Sequence, residues 1–305
     1  MAKTNNKTWV VGYGDIGHRV AKLYQDRLNE SLKVTFHNKT ALQQEKHAQQ
    51  TGQQAYYLEL DDEQATLPEE ITSKIFYFAP PPKTGKQDTR LAGFLNKLAQ
   101  QPIQPEHIVL ISTTGVYGNC NGRWVDESSA INPVAERACR RADAEKALTQ
   151  WAEQHKKCVT ILRVPGIYAE DRLPLERLKK GLPIVKELES PWTNRIHADD
   201  LANICYQAML QYSTQSAAAS SKSVEIYNVS DGNPSTMTAY FNAVADYSGL
   251  PRPPQISLKQ AEVELSAGMM SYMKESRRIS NKKMLVQLAV QLLYPTLSHC
   301  LKKNS

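Results

Sequence analysis

The sequence predicts an α/β fold in which a doubly wound parallel sheet is followed by a smaller, mixed C-terminal region. Short apolar segments alternate with helix-like segments as far as Arg163, and this alternation is typical of a parallel sheet with helices on both faces. The fifth strand-like segment, His107–Ser112, is apolar almost throughout, as a strand buried on both faces is. A glycine-rich turn between the first strand and the first helix is the third observation.

The elements follow in order along the chain. The strand-like segments are Thr8–Val11, Leu32–Phe36, Ala55–Leu58, Lys74–Phe78, His107–Ser112, Cys158–Arg163 and Glu225–Val229. Apolar residues at helical spacing predict helices at Asp15–Leu28, Ala41–Gln50, Asp88–Gln100, Val134–Gln154, Asp199–Tyr212, Thr236–Tyr247 and Lys283–Leu293. After Pro165 the segments become shorter and prolines more frequent, which indicates a second, smaller region.

Composition and charge exclude several classes of protein. Hydrophobic residues make up 41% of the 305 residues and charged residues 22%, so the chain is not disordered overall. No apolar run reaches the roughly 18 residues of a membrane span, and Met1–Thr8 lacks the apolar core of a signal peptide. The net charge of +6 comes from scattered basic residues, which predicts a solvated surface and a small anionic ligand rather than nucleic acid.

The cysteines indicate the compartment. Their number, five, is odd and none forms a C-x-x-C pair. This argues against a disulfide framework and against a zinc site, so we expect no metal. A reducing cytoplasm and no association with a membrane are the expected setting.

The glycine-rich turn fits the pattern G-x-G-x-x-G directly after a strand and at the start of a helix, the context that makes it specific for a dinucleotide. Gly12 permits the tight turn, Gly14 lets the backbone approach the pyrophosphate, and Gly17 allows the helix to pack closely on the strand. The pyrophosphate then meets the free N–H groups of the helix N-terminus. We therefore expect the whole segment to lie against the cofactor, namely Gly12, Tyr13, Gly14, Asp15, Ile16 and Gly17.

The end of the second strand indicates which dinucleotide is preferred. NAD sites usually carry an Asp or Glu there for the ribose 2′-hydroxyl, whereas this chain has His37-Asn38-Lys39. Lys39 attracts a 2′-phosphate and Asn38 can donate a hydrogen bond to it. The sequence therefore favours NADP, with NAD as the alternative; Lys39 as an ordinary solvent-exposed residue at the start of the next helix also fits.

The ends of the next two strands should complete the cofactor cleft, because ligands of doubly wound folds sit at the carboxyl ends of the strands. Glu59 and Leu60, after the third strand, would reach the adenine. Ala79, Pro80 and Pro81, after the fourth strand, would line the path of the ribose and phosphates.

The segment Ser112–Gly118, STTGVYG, resembles the S-[ST]-x-x-V-Y-G segment of the extended short-chain dehydrogenases/reductases, the NAD(P)-dependent epimerase/dehydratase group. Further similar segments occur in the same order, namely Val125–Glu127 with Pro133, Leu162–Tyr168, Arg195–Ala202, Tyr227–Asp231 and, in an atypical form, Ser276–Asn281. The glycine turn departs from the G-x-x-G-x-x-G of most extended members. The resemblance implies a Rossmann-type domain over 1–164, to which 195–230 returns, and a mainly substrate-binding region over 165–305.

The resemblance also implies roles for single residues. Thr113 stands where the family has the catalytic Ser or Thr that binds the reacting oxygen. Pro165, Gly166 and Ile167 would lie beside the nicotinamide. Arg195 would face the substrate, often against an anionic group.

The catalytic Tyr-x-x-x-Lys pair of the family is missing, since none of the 14 tyrosines is followed by lysine four residues later. Aligning Glu145 with the acidic residue that usually follows the lysine puts Arg137 at the tyrosine position and Arg141 at the lysine position. Arginine stays protonated and is a poor acid or base. These two arginines and Arg140 either bind a carboxylate or phosphate of the substrate or are ordinary exposed helix residues.

Another residue would then have to supply the proton. Tyr117 is the first candidate, because it follows Thr113 by four residues, and Tyr168 and His197 are the others. Tyr168 is also expected to bind substrate, together with Arg141 and Arg195.

Two functions remain from the sequence. The first is an NAD(P)-dependent oxidoreductase or epimerase-like enzyme for a sugar-like or small carbonyl substrate, weakly active or inactive toward the family's ordinary substrates. The second is a non-catalytic protein that senses NADP(H) or scaffolds a partner. The oligomeric state, a homodimer included, is left open.

Overall fold

The computed structural model describes residues 8–36, 46, 48–68, 70–215 and 223–301. Within these residues seven strands form one parallel sheet in the order β12-β7-β5-β4-β1-β2-β3. The strands are β1 Thr8–Val11, β2 Lys33–Phe36, β3 Gln54–Tyr57, β4 Lys74–Tyr77, β5 His107–Thr113, β7 Cys158–Val164 and β12 Val224–Asn228. This topology confirms the doubly wound α/β fold.

Helices cover both faces of the sheet because successive strand residues point to opposite sides. On one face Val10 packs with helices α1 (Asp15–Leu28) and α5 (Ala198–Gln215). On the other face Trp9 and Val11 pack with α2 (Thr89–Ala99) and α3 (Glu136–His155). Among the described residues, no helix is both long and apolar enough to cross a membrane.

The smaller region consists of short helices and two-stranded sheets beside the carboxyl ends of β5 and β7. The short strands pair as β8 Gly166–Tyr168 with β11 Arg195–His197, β9 Ile184–Val185 with β14 Gln255–Ile256, β10 Trp192–Thr193 with β13 Ser235–Thr236, and β6 Trp124–Val125 with β15 Arg278–Ile279. The helices are α4 Leu175–Lys179, α6 Met237–Tyr247, α7 Leu258–Glu264, α8 Ala267–Met273, α9 Lys282–Gln287 and α10 Leu297–Leu301.

The strands and long helices begin and end within a few residues of their predicted positions, but the C-terminal helix predicted at Lys283–Leu293 is helical only as far as Gln287 and is wrong beyond it. Helix α9 ends at Gln287, and Ala289 has a left-handed φ of 48°. The backbone N–H groups of Leu293 and Tyr294 donate instead to the buried carboxylate of Asp200, at 2.7 and 2.9 Å. A distant side chain thus replaces the helical hydrogen bonds. The predicted helix Ala41–Gln50 lies largely outside the described residues.

Candidate functional site

The glycine turn is enclosed by the ends of three strands. Gly12 has a φ of +100°, and a Cβ there would lie 2.5 Å from the backbone nitrogen of Ala79, after β4. The N–H groups of Gly12 and Tyr13 both donate to the carbonyl oxygen of Thr35 in β2, at 3.0 and 2.9 Å. A Cβ at Gly17 would lie 3.0 Å from the carbonyl oxygen of Gly12. Gly12 and Gly17 are therefore required by close contacts within the fold itself.

Gly14 differs, because a Cβ at this position would meet no atom within 4 Å. It is the N-cap of α1, where free N–H groups and the positive end of the helix dipole favour an anion. The carboxylate of Asp15 is neutralised by Arg19 and Arg172, each 2.9 Å away. The open space before a helix N-terminus fits the pyrophosphate of a dinucleotide.

Other predicted cofactor residues differ in how they are presented. The side chains of Tyr13 and Ile16 belong to the buried core, so only their backbone is available to a ligand. The guanidinium of Arg90 joins the segments after β3 and β4, since it donates to Asp61 at 2.6 Å and to the carbonyl oxygen of Pro80 at 2.9 Å. Glu59 and Leu60 lie in the segment after β3, directly before Asp61. Asn38 and Lys39 lie outside the described residues, so the preference for NADP remains a prediction.

A cavity of about 500 Å³ lies beside the carboxyl ends of β5 and β7. Eight residues predicted from the sequence line it, namely Pro81, Thr113, Arg141, Pro165, Gly166, Ile167, Tyr168 and Arg195. The structure thus brings together residues that are up to 114 positions apart, from Pro81 to Arg195. Pro81 links this cavity to the segment that follows β4.

Thr113 ends β5 and caps the 3₁₀ turn Thr114–Tyr117, because its Oγ1 accepts a hydrogen bond from the N–H of Gly115 at 3.1 Å. A hydroxyl that accepts from the backbone still has its own proton to donate. Thr113 lines the cavity, so it can donate to an oxygen of a ligand there.

Four arginines line the cavity, and among the described lining residues Glu275 is the one carboxylate. Its Oε2 accepts from Arg137 at 3.2 Å and from Arg277 at 3.0 Å. The guanidinium of Arg141 lies 3.6 Å from the buried carboxylate of Asp88, and burial lowers the pKa of Arg141. The fourth is Arg195. The lining is therefore positively charged and suits an anionic group.

Arg137 and Arg141 are not ordinary exposed residues of helix α3. The guanidinium of Arg137 donates to Ser271 at 2.6 Å and lies 4.0 Å from the ring centre of Tyr272. Arg141 is largely buried against Asp88. Both line the cavity, but neither can act as the acid that the family's tyrosine provides.

Tyr117, the first candidate for the missing acid, is not positioned for this role. Its buried hydroxyl donates to Asn228 at 2.8 Å and accepts from Arg163 at 2.9 Å. Arg163 in turn pairs with Glu145, 2.8 Å away, and both are buried. Tyr117 is not among the described residues that line the cavity. The expectation is therefore corrected: this tyrosine belongs to a buried polar network behind the site.

The other two candidates for the acid, Tyr168 and His197, also have hydrogen-bond partners within the protein. The hydroxyl of Tyr168 donates to the carbonyl oxygen of Tyr294 at 3.5 Å, although its ring lines the cavity. His197 lies in a neighbouring groove, where its ring stacks on Tyr294 at 3.6 Å and its Nδ1 accepts from the N–H of Asp199 at 3.2 Å.

Sequence reasoning missed most of the cavity wall formed by the chain after Tyr168, with the exception of Arg195. The missed lining residues include Trp192, Tyr240, Phe241, Met269, Tyr272, Glu275 and Arg277. Most of these lie on short helices and loops without a recognisable pattern. The one available signal was the segment Ser276–Asn281, which resembles the family but has no assigned role.

Comparison with solved structures shows which proteins share this fold. A conserved protein from Silicibacter pomeroyi, described as functionally unknown, has a TM-score of 0.78 and 24% identity, over 97% of this chain and 96% of that chain. UDP-glucose 4-epimerase from Thermotoga maritima, solved with UDP-glucose, has a TM-score of 0.72 and 17% identity over 97% and 96%. A human epimerase family protein solved with NADPH has a TM-score of 0.68 and 15% identity over 97% and 98%. No family model and no curated protein matches the sequence.

Fold and site together define a Rossmann-type α/β protein with a glycine turn at a helix N-terminus and a cationic cavity beside it. Several of the structural neighbours, which match across nearly the whole chain, are described as epimerases or as an NAD-dependent epimerase/dehydratase. The chain has their fold.

Proposed function

We propose that this protein is an NAD(P)-dependent oxidoreductase or epimerase-like enzyme that acts on a sugar-like or small carbonyl substrate with an anionic group. The observation that carries the proposal is the cavity of about 500 Å³ that combines Thr113 with four arginines. The carboxylates of Glu275 and Asp88 balance two of the four positive charges. A neutral substrate would leave the other two without a partner, which is costly in a partly buried site.

The dinucleotide would bind with its pyrophosphate at Gly14 and the N-terminus of α1, and its nicotinamide would face Pro165, Gly166 and Ile167. When bound, a nicotinamide supplies or accepts a hydride. Glu59 and Leu60 would contact the adenine, and Lys39 a 2′-phosphate. Arg172, now held by Asp15 at 2.9 Å, keeps the pyrophosphate side of the cleft close to neutral.

Within the cavity Thr113 would donate its hydroxyl proton in a hydrogen bond to the reacting oxygen of the substrate. Arg137, Arg141 and Arg277 would orient the substrate through its anionic group. Arginine suits this task because its planar guanidinium binds carboxylates and phosphates with two parallel hydrogen bonds.

The test is a panel of matched carbonyl compounds with and without a phosphate or carboxylate, each incubated with NADPH and with NADH. We expect a substrate-dependent loss of absorbance of the reduced cofactor for anionic members of the panel. Turnover of the uncharged members alone would contradict the assignment of the arginines.

One observation favours a second function. Arg137 and Arg141 stand at the positions expected for the catalytic tyrosine and lysine. Their guanidinium groups contact Ser271, Glu275 and Asp88 within the protein. A protein that binds NADP(H) without turning over a substrate, as a sensor or scaffold, would need no acid there. Tight NADPH binding with no turnover of any panel member would support this alternative.

A further inference from the structure

The proposed reaction needs a proton donor, and the described lining of the cavity contains three tyrosines, Tyr168, Tyr240 and Tyr272. In the family the lysine of the Tyr-x-x-x-Lys pair supplies a positive charge beside the tyrosine. A tyrosine of this cavity that lies beside a cation without a direct ion pair would reproduce that arrangement from different elements of the fold.

Two of the three tyrosines lack this arrangement. The hydroxyl of Tyr168 is directed to the carbonyl oxygen of Tyr294, and burial raises the pKa of Tyr168 strongly. Tyr272 does lie under a guanidinium, that of Arg137. However, the ring is 49% exposed, and the charge of Arg137 is shared with the carboxylate of Glu275 at 3.2 Å.

Tyr240 has the expected neighbour. The guanidinium carbon of Arg195 lies 3.7 Å from the centre of its ring, and Arg195 also donates to Ser235 at 3.0 Å. Within the described part of the chain, no carboxylate oxygen lies within 4.0 Å of the Arg195 guanidinium. The charge of Arg195 therefore acts on Tyr240 without being cancelled by a direct ion pair.

Burial and the neighbouring charge have opposite effects on the pKa of Tyr240. Burial raises the pKa of Tyr240, and the charge of Arg195 lowers it in part. Burial also lowers the pKa of Arg195 to about 10, so this side chain remains charged at neutral pH. The other titratable groups around the pair are Asp231 and Tyr168, which face Arg195, and Cys300, which faces Tyr240.

The register of the short strands brings the pair to the reacting end of the cavity. Arg195 pairs with Gly166 between β11 and β8, and a Cβ at Gly166 would lie 3.9 Å from the Cγ of Arg195. Gly166 belongs to the segment that we assign to the nicotinamide. Tyr240, whose ring lies against the guanidinium of Arg195, lines the same cavity as Gly166 and Thr113.

We infer that Tyr240 is the catalytic acid of this protein and that Arg195 is the cation that activates it, in place of the family's tyrosine and lysine. This inference rests on the proposed function, because it needs a carbonyl substrate in the cavity. Tyr240 and Arg195 come from α6 and β11, whereas the family's pair lies on one helix. The two arginines at the family's positions then have no part in the proton transfer and serve to bind the anionic group.

The proton balance is complete in the direction of reduction. The carbonyl carbon gains the hydride that the reduced nicotinamide gives up, so the substrate is reduced and the cofactor is oxidised. The carbonyl oxygen takes the hydroxyl proton of Tyr240 while Thr113 donates a hydrogen bond to it. The tyrosinate that remains beside Arg195 recovers a proton from solvent.

The kinetic test compares Tyr240→Phe with Tyr247→Phe, a tyrosine of the same helix that is exposed and outside the cavity lining. General acid–base catalysis contributes about 10²- to 10⁴-fold, so we expect kcat to fall by about 100-fold or more in Tyr240→Phe, with unchanged NADPH affinity. Tyr247→Phe should match the wild type. A smaller loss in Tyr240→Phe than in Tyr272→Phe would overturn the inference.

The role of Arg195 is tested by Arg195→Lys and Arg195→Met. We expect the lysine variant to retain much more of kcat than the methionine variant, because it keeps the charge. Equal losses in the two variants would mean that the charge of Arg195 does not assist Tyr240.

A measurement without turnover separates this inference from the proposed function. The ionisation of Tyr240 is followed by NMR of ¹³Cζ-labelled tyrosine, with Tyr240→Phe identifying the signal. We expect the pKa of Tyr240 to rise in Arg195→Met, and no change would overturn the pair. If no panel compound is turned over, the proposed function fails, whereas turnover that survives Tyr240→Phe refutes only the acid.

Discussion

The glycine turn and the first half of helix α3 differ in how closely they follow the residue pattern of a dinucleotide-dependent enzyme. The turn contains the complete dinucleotide-binding pattern G-x-G-x-x-G, and the contacts of Gly12 and Gly17 with Ala79, Val10 and the turn itself explain two of its three glycines. In α3 the expected tyrosine and lysine are replaced by Arg137 and Arg141, which form ion pairs inside the protein.

This difference indicates that cofactor binding and proton transfer in such a fold depend on different parts of the chain. Binding a pyrophosphate uses backbone N–H groups and open space, which only glycine leaves free. Moving a proton uses a side chain, and any element whose side chain reaches the cavity can supply it. In such a fold the binding of the pyrophosphate therefore depends on a fixed local sequence, whereas the acid can come from another element.

The largest effect should come from filling the open space at the glycine turn. Gly14→Val should lower the affinity for both NADPH and NADH by about 100-fold or more, because the pyrophosphate would lose several backbone hydrogen bonds of about 1 kcal/mol each. Gly93→Val in helix α2, where a Cβ also meets no atom within 4 Å, is the matched control. If calorimetric titration finds equal affinity in Gly14→Val and wild type, the pyrophosphate does not bind at Gly14.

Thr113→Val should lower kcat by about 10- to 100-fold, since removing one hydrogen-bond donor to a developing oxyanion commonly costs at least that much. The affinity for NADPH should stay unchanged. Thr113→Ser keeps the hydroxyl that accepts from Gly115 and should retain most of the activity. If valine and serine variants are equally active, Thr113 serves only to cap the turn.

Lys39→Ala tests whether the protein prefers NADPH to NADH. The loss of one charge-assisted hydrogen bond to a 2′-phosphate should weaken NADPH binding by about tenfold and leave NADH binding unaffected. Fluorescence titration with both cofactors measures this. Wild-type protein that binds NADH as tightly as NADPH would refute the preference.

The smallest effect on turnover is expected for Tyr117→Phe. Because its hydroxyl lies in the network of Arg163 and Asn228, we expect kcat to change by less than about threefold, far below the loss of a general acid. The free energy of unfolding should fall by about 1–3 kcal/mol, since Asn228 and Arg163 lose a buried partner. Chemical denaturation measures this, and a collapse of kcat without loss of stability would return Tyr117 to the site.

Sequence reasoning predicted the sheet and both of its helical layers because long, strongly patterned segments determine them locally. It failed at Lys283–Leu293, where the apolar pattern suggests a helix but the Asp200 carboxylate holds the backbone of Leu293 and Tyr294. It also predicted eight residues of the cavity. Six of them come from segments with family-like motifs, whereas Pro81 follows from its place after a strand and Arg141 from the alignment of a helix that lacks the motif.

The sequence by itself determined the α/β class, the glycine turn and the absence of the Tyr-x-x-x-Lys pair, because each of these is a matter of residue type at fixed spacing. Only the tertiary structure decided that Tyr117 is enclosed by Arg163 and Asn228 and that Arg195 stacks on Tyr240, 45 positions later in the chain. The direction of a side chain depends on the elements that pack around it. Those elements come from parts of the chain that no local pattern connects.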